Sequence, residues 1–376
     1  MTVTPAAVQH CDIFRREGQF AGWPANYGMW IWGDEILVVF AVGELGNQGP
    51  LHARNVHRPF RPRQARSLDG GSTWAVEDFP GLVPGGDNLS ADEHVDRDLR
   101  SGPDLKGTLF LDTLSVAIDF MDPETNIMAA RTGIHADARS WFYVTHDRGR
   151  TWKGPFPFNG LAVSGVAART DVVPLGKSHA LFMLSCAKPN GLEGRAFCAE
   201  TTDGGRTFRV KSFVDDDGTG YSIMPTSVSM PDGTIITVLR RGLGVGRVGW
   251  LEGYRSTDCG LSWHPLGKIV ANTGPGGNPA SMCRSLSGRI YLFYGVRSNP
   301  FGIRCKTSDN QGQTWSEETI IRADGVLPDL GYPRSVLRRD GRIVCAYYFN
   351  QGSERFIAAS VIAMAAKEWS RGQGTR

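Results

Sequence analysis

Arginine recurs at the ends of apolar, strand-like runs in this sequence. Arg131 closes NIMAAR, Arg240 and Arg241 close TIITVLRR, Arg297 closes IYLFYGVR, and Arg169 lies two residues before DVVPLG, which starts at Asp171. A guanidinium at the end of a buried strand is costly unless it meets an anion, and its planar fork matches a carboxylate. Glu44 closes another such run, ILVVFAVGE, and is a candidate acid/base. The segment from His52 to Arg66, HARNVHRPFRPRQAR, is basic and is either a solvated loop or a contact for an acidic ligand. The segment NLSADEHVDRDLRSGPD, Asn88 to Asp104, is long and acidic with a lone His94, and reads as a lid or an oligomer contact rather than a metal site. The seven cysteines, Cys11, Cys186, Cys198, Cys259, Cys283, Cys305 and Cys345, are widely spaced, with no C-x-x-C and no Cys/His pair at zinc-finger spacing. They read as small hydrophobes in strands of a reducing compartment. No metal and no cofactor is expected.

The elements that must position these residues are short strands. Of 376 residues, 41% are hydrophobic, 47 are Gly and 10 are Trp, a composition of strands joined by tight turns. Charged residues make up 21% and the net charge is +3, so nothing demands a nucleic acid or a membrane surface as partner. No stretch approaches the roughly 20 apolar residues of a membrane span. The opening MTVTPAAVQHCDIFRREG has no apolar signal-peptide core, so a cytoplasmic protein is expected.

One pattern recurs: Ser/Thr-x-Asp-x-Gly-x-Thr/Ser-aromatic. It reads SLDGGSTW from Ser67, THDRGRTW from Thr145, TTDGGRTF from Thr201 and STDCGLSW from Ser256. A fifth copy, TSDNQGQTW from Thr307, carries one extra residue before its Gly. The Asp side chain can bond backbone N–H groups ahead of it, Gly supplies a positive φ, and the aromatic buries a large apolar face. Each copy therefore reads as a tight hairpin. Spacings between the Asp residues are 78, 56, 55 and 51, room for four short strands per unit with an insertion in the first interval.

These copies are identified as Asp boxes, and the chain resembles the sialidase superfamily. The resemblance implies an all-β fold: a six-bladed β-propeller over residues 1–376, with four antiparallel strands per blade, Asp boxes on the hairpins joining strands three and four, and a flexible tail at 366–376. Strand one of the fourth blade is SIMPTSVSM and of the fifth PASMCRSL; the last unit, without a box, is YPRSVLRR, IVCAYYF and RFIAASVIAM. The first blade begins at GWPANYGMWIW, and residues 8–20 pair with the last blade to close the ring. Strand one starts on the face where strand two ends, and in the family that is the active face. It collects Trp23, Asn26, Glu44, Arg131, Arg169, Asp171, Tyr221, Arg240, Arg241, Arg297, Tyr332 and Tyr348.

Family members hold a substrate carboxylate with three arginines and use a Tyr nucleophile activated by a Glu, with an Asp as acid/base. Tyr332 in LGYPRSVLRR resembles that Tyr, Arg240 the second arginine, and Arg297 or Arg304 in YGVRSNPFGIRCKTSD the third. Two departures stand out. Gly22 in FAGWPAN occupies the place of the first arginine, and Met224, before Pro225, the place of the Glu. Glu44 is a replacement acid/base, with Arg131 and Arg169 as replacement anion ligands. The implied activity is a sialidase-like, exo-acting glycoside hydrolase for a terminal acidic sugar. The alternatives are another carbohydrate-active enzyme on the same scaffold, a non-sialic glycosidase or a lyase, or a glycan-binding propeller without catalysis. Oligomeric state is not legible.

Overall fold

The computed structural model describes residues 5–46, 51–58, 60–82, 111–215, 218–244 and 246–364. Second strands such as Glu35–Glu44 are apolar almost throughout and buried almost throughout, as expected for a short strand covered on both faces. Three sheets are four-stranded antiparallel meanders. They comprise Val172–Gly176, His179–Ala187, Glu193–Thr201 and Arg209–Phe213; Tyr221–Ser229, Ile235–Gly242, Val248–Ser256 and His264–Pro275; and Ala280–Arg284, Ile290–Val296, Gly302–Ser308 and Thr319–Arg322. A fourth sheet holds Asn126–Arg131, Ser140–Thr145 and Lys153–Pro157.

The other nine strands form one continuous sheet. Gly28–Trp32, Glu35–Glu44, Arg61–Ser67 and Ala75–Asp78 make one meander; Gly331–Leu337, Ile343–Gln351 and Glu354–Met364 make another. Pro5–Phe14 pairs antiparallel along the outer edge of Glu354–Met364, as the sequence leads one to expect. Gln19–Gly22 bridges the two meanders, antiparallel to Glu35–Glu44 and touching Glu354–Met364 at Phe20 and Arg355.

The inner strands contact one another in succession: Val172–Gly176, Tyr221–Ser229, Ala280–Arg284, Gly331–Leu337, Gly28–Trp32. This is a β-propeller arrangement. Side chains join neighbouring units. Thr170 Oγ1 accepts from Ala129 N (2.8 Å), Thr226 Oγ1 from Met282 N (3.0 Å) and Ser281 Oγ from Ser335 N (2.9 Å), while Asp171 accepts from Ser227 N (3.2 Å). These short polar side chains satisfy inner-strand N–H groups that would otherwise be buried without partners.

The repeated turns are built alike. In the fourth copy Ser256 Oγ donates to Asp258 (2.8 Å) and accepts from Gly260 N (2.8 Å); Asp258 accepts from Ser262 N (2.9 Å) and from the Ser262 hydroxyl. The same bonds recur at Asp69, Asp147 and Asp203. A Cβ on Gly260 would lie 2.9 Å from Cys198 Sγ of the preceding sheet, so the turn can approach that sheet only without a side chain there. The aromatic that ends each turn packs inward: Trp152 lies 5.3 Å from Trp30, and Phe208 joins Phe142, Phe158 and Phe182.

Four expectations need correction. The fifth turn carries no extra residue. Asn310 takes the Asp position, accepting from Ser308 Oγ (3.0 Å) and Thr314 N (2.9 Å), because an amide oxygen serves there as well as a carboxylate. Asp309 instead pairs with Arg289. In GWPANYGMWIW the strand starts only at Gly28; Pro24–Tyr27 is a helical turn, which Pro24 favours at its first position. The sheet at 126–157 has three strands among the described residues, and 111–125 runs as turns, with Ile118 N donating to Gly204 O (2.9 Å). Cys259 lies exposed in a turn, whereas Cys186, Cys198, Cys283, Cys305 and Cys345 are buried strand residues as expected; all seven are free thiols. The segment 88–104 and the tail at 366–376 lie outside the described residues. Among the described residues no helix is long and apolar enough to cross a membrane, and no group of three or more His, Cys, Asp or Glu is placed to hold a metal.

The turn carboxylates give the fold an acid-sensitive component. The Ser262 hydroxyl and N–H lower Asp258 to about 2, and those of Thr73 lower Asp69 to about 2. A carboxylate whose native pKa is depressed adds stability above its unfolded value that is lost as pH falls toward the native one. Thermal melts should therefore fall as pH drops from about 4 to about 2. Asp258→Ala should cost about 1–2 kcal/mol at neutral pH, the low end for a charged hydrogen-bond acceptor because the turn is exposed, and should flatten that acid limb. An unchanged limb would mean that other groups set it.

Candidate functional site

Among the described residues, seven non-glycine residues adopt a left-handed φ, and they fall into two sets. Arg148, Cys259 and Gln311 occupy the position after the Asp or Asn of the repeated turns, where Gly70 and Gly204 stand in the other copies. The remaining four, Trp23 (φ 64°), His52 (56°), Met224 (52°) and Tyr332 (51°), meet at one place. Such conformations cost energy and persist where the surroundings impose them, often at functional sites.

Tyr332 stands at the start of Gly331–Leu337. Buried Asn278 aims it: Asn278 Oδ1 accepts from Tyr332 N (2.9 Å) and Nδ2 donates to Leu330 O (2.8 Å). A Cβ on Gly331, itself at φ 110°, would strike that amide at 2.2 Å. Arg240, near the end of Ile235–Gly242, donates from Nη1 to the Tyr332 hydroxyl (3.0 Å) and from Nη2 to Gly276 O. Arg297, one residue past Ile290–Val296, donates from Nη1 to Gly277 O (2.9 Å) and from Nη2 to the Tyr348 hydroxyl (3.0 Å). Its guanidinium carbon lies 5.5 Å from the Tyr332 ring centre. Among the described residues neither Arg240 nor Arg297 forms an ion pair. Half-buried Arg240 and buried Arg297 thus end on carbonyl and phenol oxygens rather than on a carboxylate, an arrangement that suits an anion.

The place expected for a carboxylate beside the tyrosine holds Met224. Its sulfur is 3.4 Å from Arg240 Nη1, and its strand is irregular between Ile223 and Thr226. Tyr332 therefore accepts from a cation and is not held by a base.

The opposite wall comes from the first meander. Trp23 Nε1 donates to His52 Nδ1 (2.8 Å), and the His52 ring lies 5.8 Å from Tyr332, nearly perpendicular, and 6.3 Å from Tyr348, stacked. Asp329, fully buried, fastens the two walls. Its carboxylate accepts from His52 N (2.7 Å), Ala53 N (3.0 Å), the Tyr348 hydroxyl (3.0 Å) and Arg355 Nε (2.8 Å). Burial, and next the Asp329 charge, push the Tyr348 phenol well above its usual range, so it remains a donor.

The other sequence candidates lie elsewhere or are already engaged. Arg169 donates to Glu193, which also accepts from Ser185 Oγ, and to Asn26 Oδ1 (3.3 Å). Burial opposes the Glu193 charge, but Arg169, and further off Arg131, hold it below the usual carboxylate range. Arg131 and Arg169 thus share a mouth-side cluster with Glu193. Arg241 is held by Asp215, Glu252 and Tyr254. Arg304 reaches Glu318 (3.2 Å) and the carbonyls of Pro300 (2.7 Å) and Arg322 (2.8 Å), bracing its own sheet. Glu44 is exposed at the rim, where it accepts from Asn55 Nδ2 (3.2 Å) and pairs with Arg58 at 3.6 Å. The structure brings Tyr332, Arg240 and Arg297 together. Sequence reasoning missed His52, Asn278 and Asp329; the one signal present was the basic stretch from His52, whose first residue is only 6% exposed rather than solvated.

No family model and no curated protein matches the sequence. Solved structures do match in fold. A Dyadobacter fermentans protein of unknown function aligns over 96% of this chain and 100% of its own, with 19% identity and a TM-score of 0.68. The NanB sialidase of Streptococcus pneumoniae, as a K499G mutant, aligns over 94% of this chain and 71% of its own, with 11% identity and a TM-score of 0.63. The Trypanosoma rangeli sialidase aligns over 96% of this chain with 10% identity and a TM-score of 0.61, and this chain spans 59% of its length. The likeness is one of fold alone, a β-propeller arrangement.

Replacing Asp329 by Ala should release the His52–Ala53 segment and leave Arg355 buried without its carboxylate. A loss of about 3–5 kcal/mol is expected in chemical denaturation. A loss below about 1 kcal/mol would mean that Asp329 does not fasten the two walls.

Proposed function

We propose that this chain is a single sialidase-like propeller domain of six blades that hydrolyses a terminal acidic sugar, with the carboxylate seated on Arg240 and Arg297 beside Tyr332. The count of six takes the four sheets at 126–157, 172–213, 221–275 and 280–322, and divides the nine-stranded sheet at Gln19–Gly22 into two. The repeated turns are read as Asp boxes, away from the chemistry. One observation carries the functional reading: the half-buried Arg240 guanidinium on the Tyr332 hydroxyl and the buried Arg297 guanidinium over the Tyr332 ring have no carboxylate partner among the described residues. A sugar acid supplies the missing charge through bidentate hydrogen bonds. The Trypanosoma rangeli sialidase, similar in fold, has been solved in complex with sialic acid.

In this reading Tyr332 accepts from Arg240 and turns its own O–H toward the ligand. Hydrolysis exchanges the glycosidic oxygen for a water oxygen, and the leaving alcohol takes up a proton. Glu44 at the rim is the candidate for that proton transfer, whereas Arg169 is already neutralised by Glu193 and is not a ligand contact in this reading. One observation favours the alternative of a glycan-binding propeller: Met224 leaves Tyr332 without a base to ionise it.

The test is a panel of fluorogenic sialic-acid, uronic-acid and neutral-sugar glycosides, with binding of the free sugar acids measured in parallel. Expected is turnover of an acidic glycoside, reduced at least about 100-fold in Tyr332→Phe and Arg240→Met, because each removes a hydrogen bond to a charged group at the reacting centre. Met224→Glu should restore a base to Tyr332 and raise turnover of a sialoside. Binding of a sugar acid without turnover would leave the binding propeller. No binding of any sugar acid would sink both readings.

A further inference from the structure

The segment TGPGGN, residues 273–278, leaves the strand His264–Pro275 and touches Arg240, Arg297 and Tyr332 alike. Gly276 O accepts from Arg240 Nη2 and from the Tyr221 hydroxyl (2.9 Å). Gly277 O accepts from Arg297 Nη1 (2.9 Å), and Thr273 O accepts from Arg297 N (3.0 Å). Asn278 holds Tyr332 N, and its Nδ2 shares Leu330 O with Arg297 Nε (3.5 Å). Two neighbouring guanidinium groups repel, so each needs an acceptor of its own to stay beside the other. Here the acceptors are consecutive carbonyls, on α-carbons about 3.8 Å apart, and the backbone angles of Gly277 set the direction between them.

The turn is latched at its two ends. Asn278 N donates to Thr273 Oγ1 (3.1 Å), and that hydroxyl donates onward to Gly249 O (3.1 Å) on the neighbouring strand Val248–Ser256. Inside the turn, Gly277 N donates to Gly274 O (3.0 Å) and Gly276 N to Arg247 O (2.8 Å). Thr273 and Asn278 are fully buried, so loss of the hydroxyl would take a partner from two backbone groups at once. Glycines form the slot. Gly277 stands at φ 70°, and a Cβ there would lie 3.3 Å from Arg240 Nε. A Cβ on Gly249 would lie 2.3 Å from Gly277 Cα, and one on Gly295 would lie 2.7 Å from Asn278 Nδ2. The backbone thus comes close enough for its carbonyls to reach both guanidinium groups.

We propose that Thr273 is a positioning residue of the sugar-acid site: its hydroxyl latches the 273–278 turn, and the latched turn holds the Arg240 and Arg297 guanidinium groups at the separation that a carboxylate meets. This rests on the reading of the Arg240–Arg297 site as the sugar-acid site. Donors held in place beforehand bind without the entropy loss of ordering two long side chains, so the latch acts on affinity. Thr273 touches no ligand and acts through Gly276 O and Gly277 O. Asn278 carries the same order to Tyr332.

The experiment compares Thr273→Val, which keeps the shape and deletes the hydroxyl, with Thr273→Ser, which keeps the hydroxyl. Asp258→Ala, in a turn outside the site, is the control for lost stability. Binding of N-acetylneuraminic acid and glucuronic acid is measured by calorimetry at a temperature where every variant is folded. Thr273→Val should weaken binding of the bound sugar acid about tenfold, Thr273→Ser should stay within about twofold, and Asp258→Ala should bind as the parent does. Nitrogen-15 NMR of the arginine side chains reads the latch without ligand. The Nη groups of Arg240 and Arg297 should give separate, slowly rotating resonances in the parent and in Thr273→Ser, and averaged ones in Thr273→Val. Parent-like binding or parent-like Nη resonances in Thr273→Val overturn the positioning role. So does a loss of binding shared equally by Thr273→Ser or by Asp258→Ala. Should Thr273→Val not fold, the parent decides, because averaged Nη resonances there overturn the proposal. Failure of both sugar acids to bind the parent overturns the reading of the site and, with it, the part of the latch in sugar binding, whereas its hold on the two arginines is read separately.

Discussion

The pairing of Pro5–Phe14 with Glu354–Met364 is the constraint on which the rest of this architecture depends. A ring of sheets has two ends, and an unpaired last strand would expose a row of backbone donors and acceptors. Here the first strand of the chain covers that edge. Gln19–Gly22 then crosses to the neighbouring meander, so the first and last described strands belong to one continuous sheet. Closure also decides where the site lies. Trp23 and His52 arrive from one side of the seam, and Tyr332, Tyr348 and Asp329 from the other.

Asp329 makes this seam an electrostatic joint as well as a geometric one. Its carboxylate, matched by Arg355, uses its remaining capacity on two backbone N–H groups and a phenol. A buried charge so well satisfied is tolerable, and loss of any partner exposes the cost of desolvation. The arginines a short distance away are treated differently. Arg169, Arg241 and Arg304 each have a carboxylate, whereas Arg240 and Arg297 end on carbonyl and phenol oxygens. The fold thus separates cations matched by carboxylates from cations matched, among the described residues, by neutral oxygens alone.

Backbone strain follows the same division. In the repeated turns it is local and cheap: the left-handed residue after Asp or Asn is repaid at once by bonds within four residues. At Trp23, His52, Met224 and Tyr332 it is imposed by partners far along the chain. Asn278 reaches Tyr332 and Asp329 reaches His52 across intervals of 54 and 277 residues. Strain maintained in this way is a mark of a preorganised site.

Periodicity and turn chemistry were enough to indicate an all-β chain of repeated short-stranded units, and the resemblance carried by those turns implied the propeller, the pairing of residues 8–20 with the last unit and the meeting of Tyr332 with Arg240 and Arg297. Those features repeat at short range, where a Ser–Asp–Gly turn or an apolar run declares itself within about ten residues. The register of the fifth turn escaped because Asn310 and Asp309 are adjacent and chemically alike, and only the bonds to Ser308 and Thr314 choose between them. Arg304 and Arg169 could not be told from Arg297 by strand position, since the difference is whether Glu318 or Glu193 lies within reach. His52, Asn278 and Asp329 carry no local signature at all. Tertiary structure alone decided them, because their roles arise from contacts that exist only once the ring has closed and brought distant segments within hydrogen-bond distance.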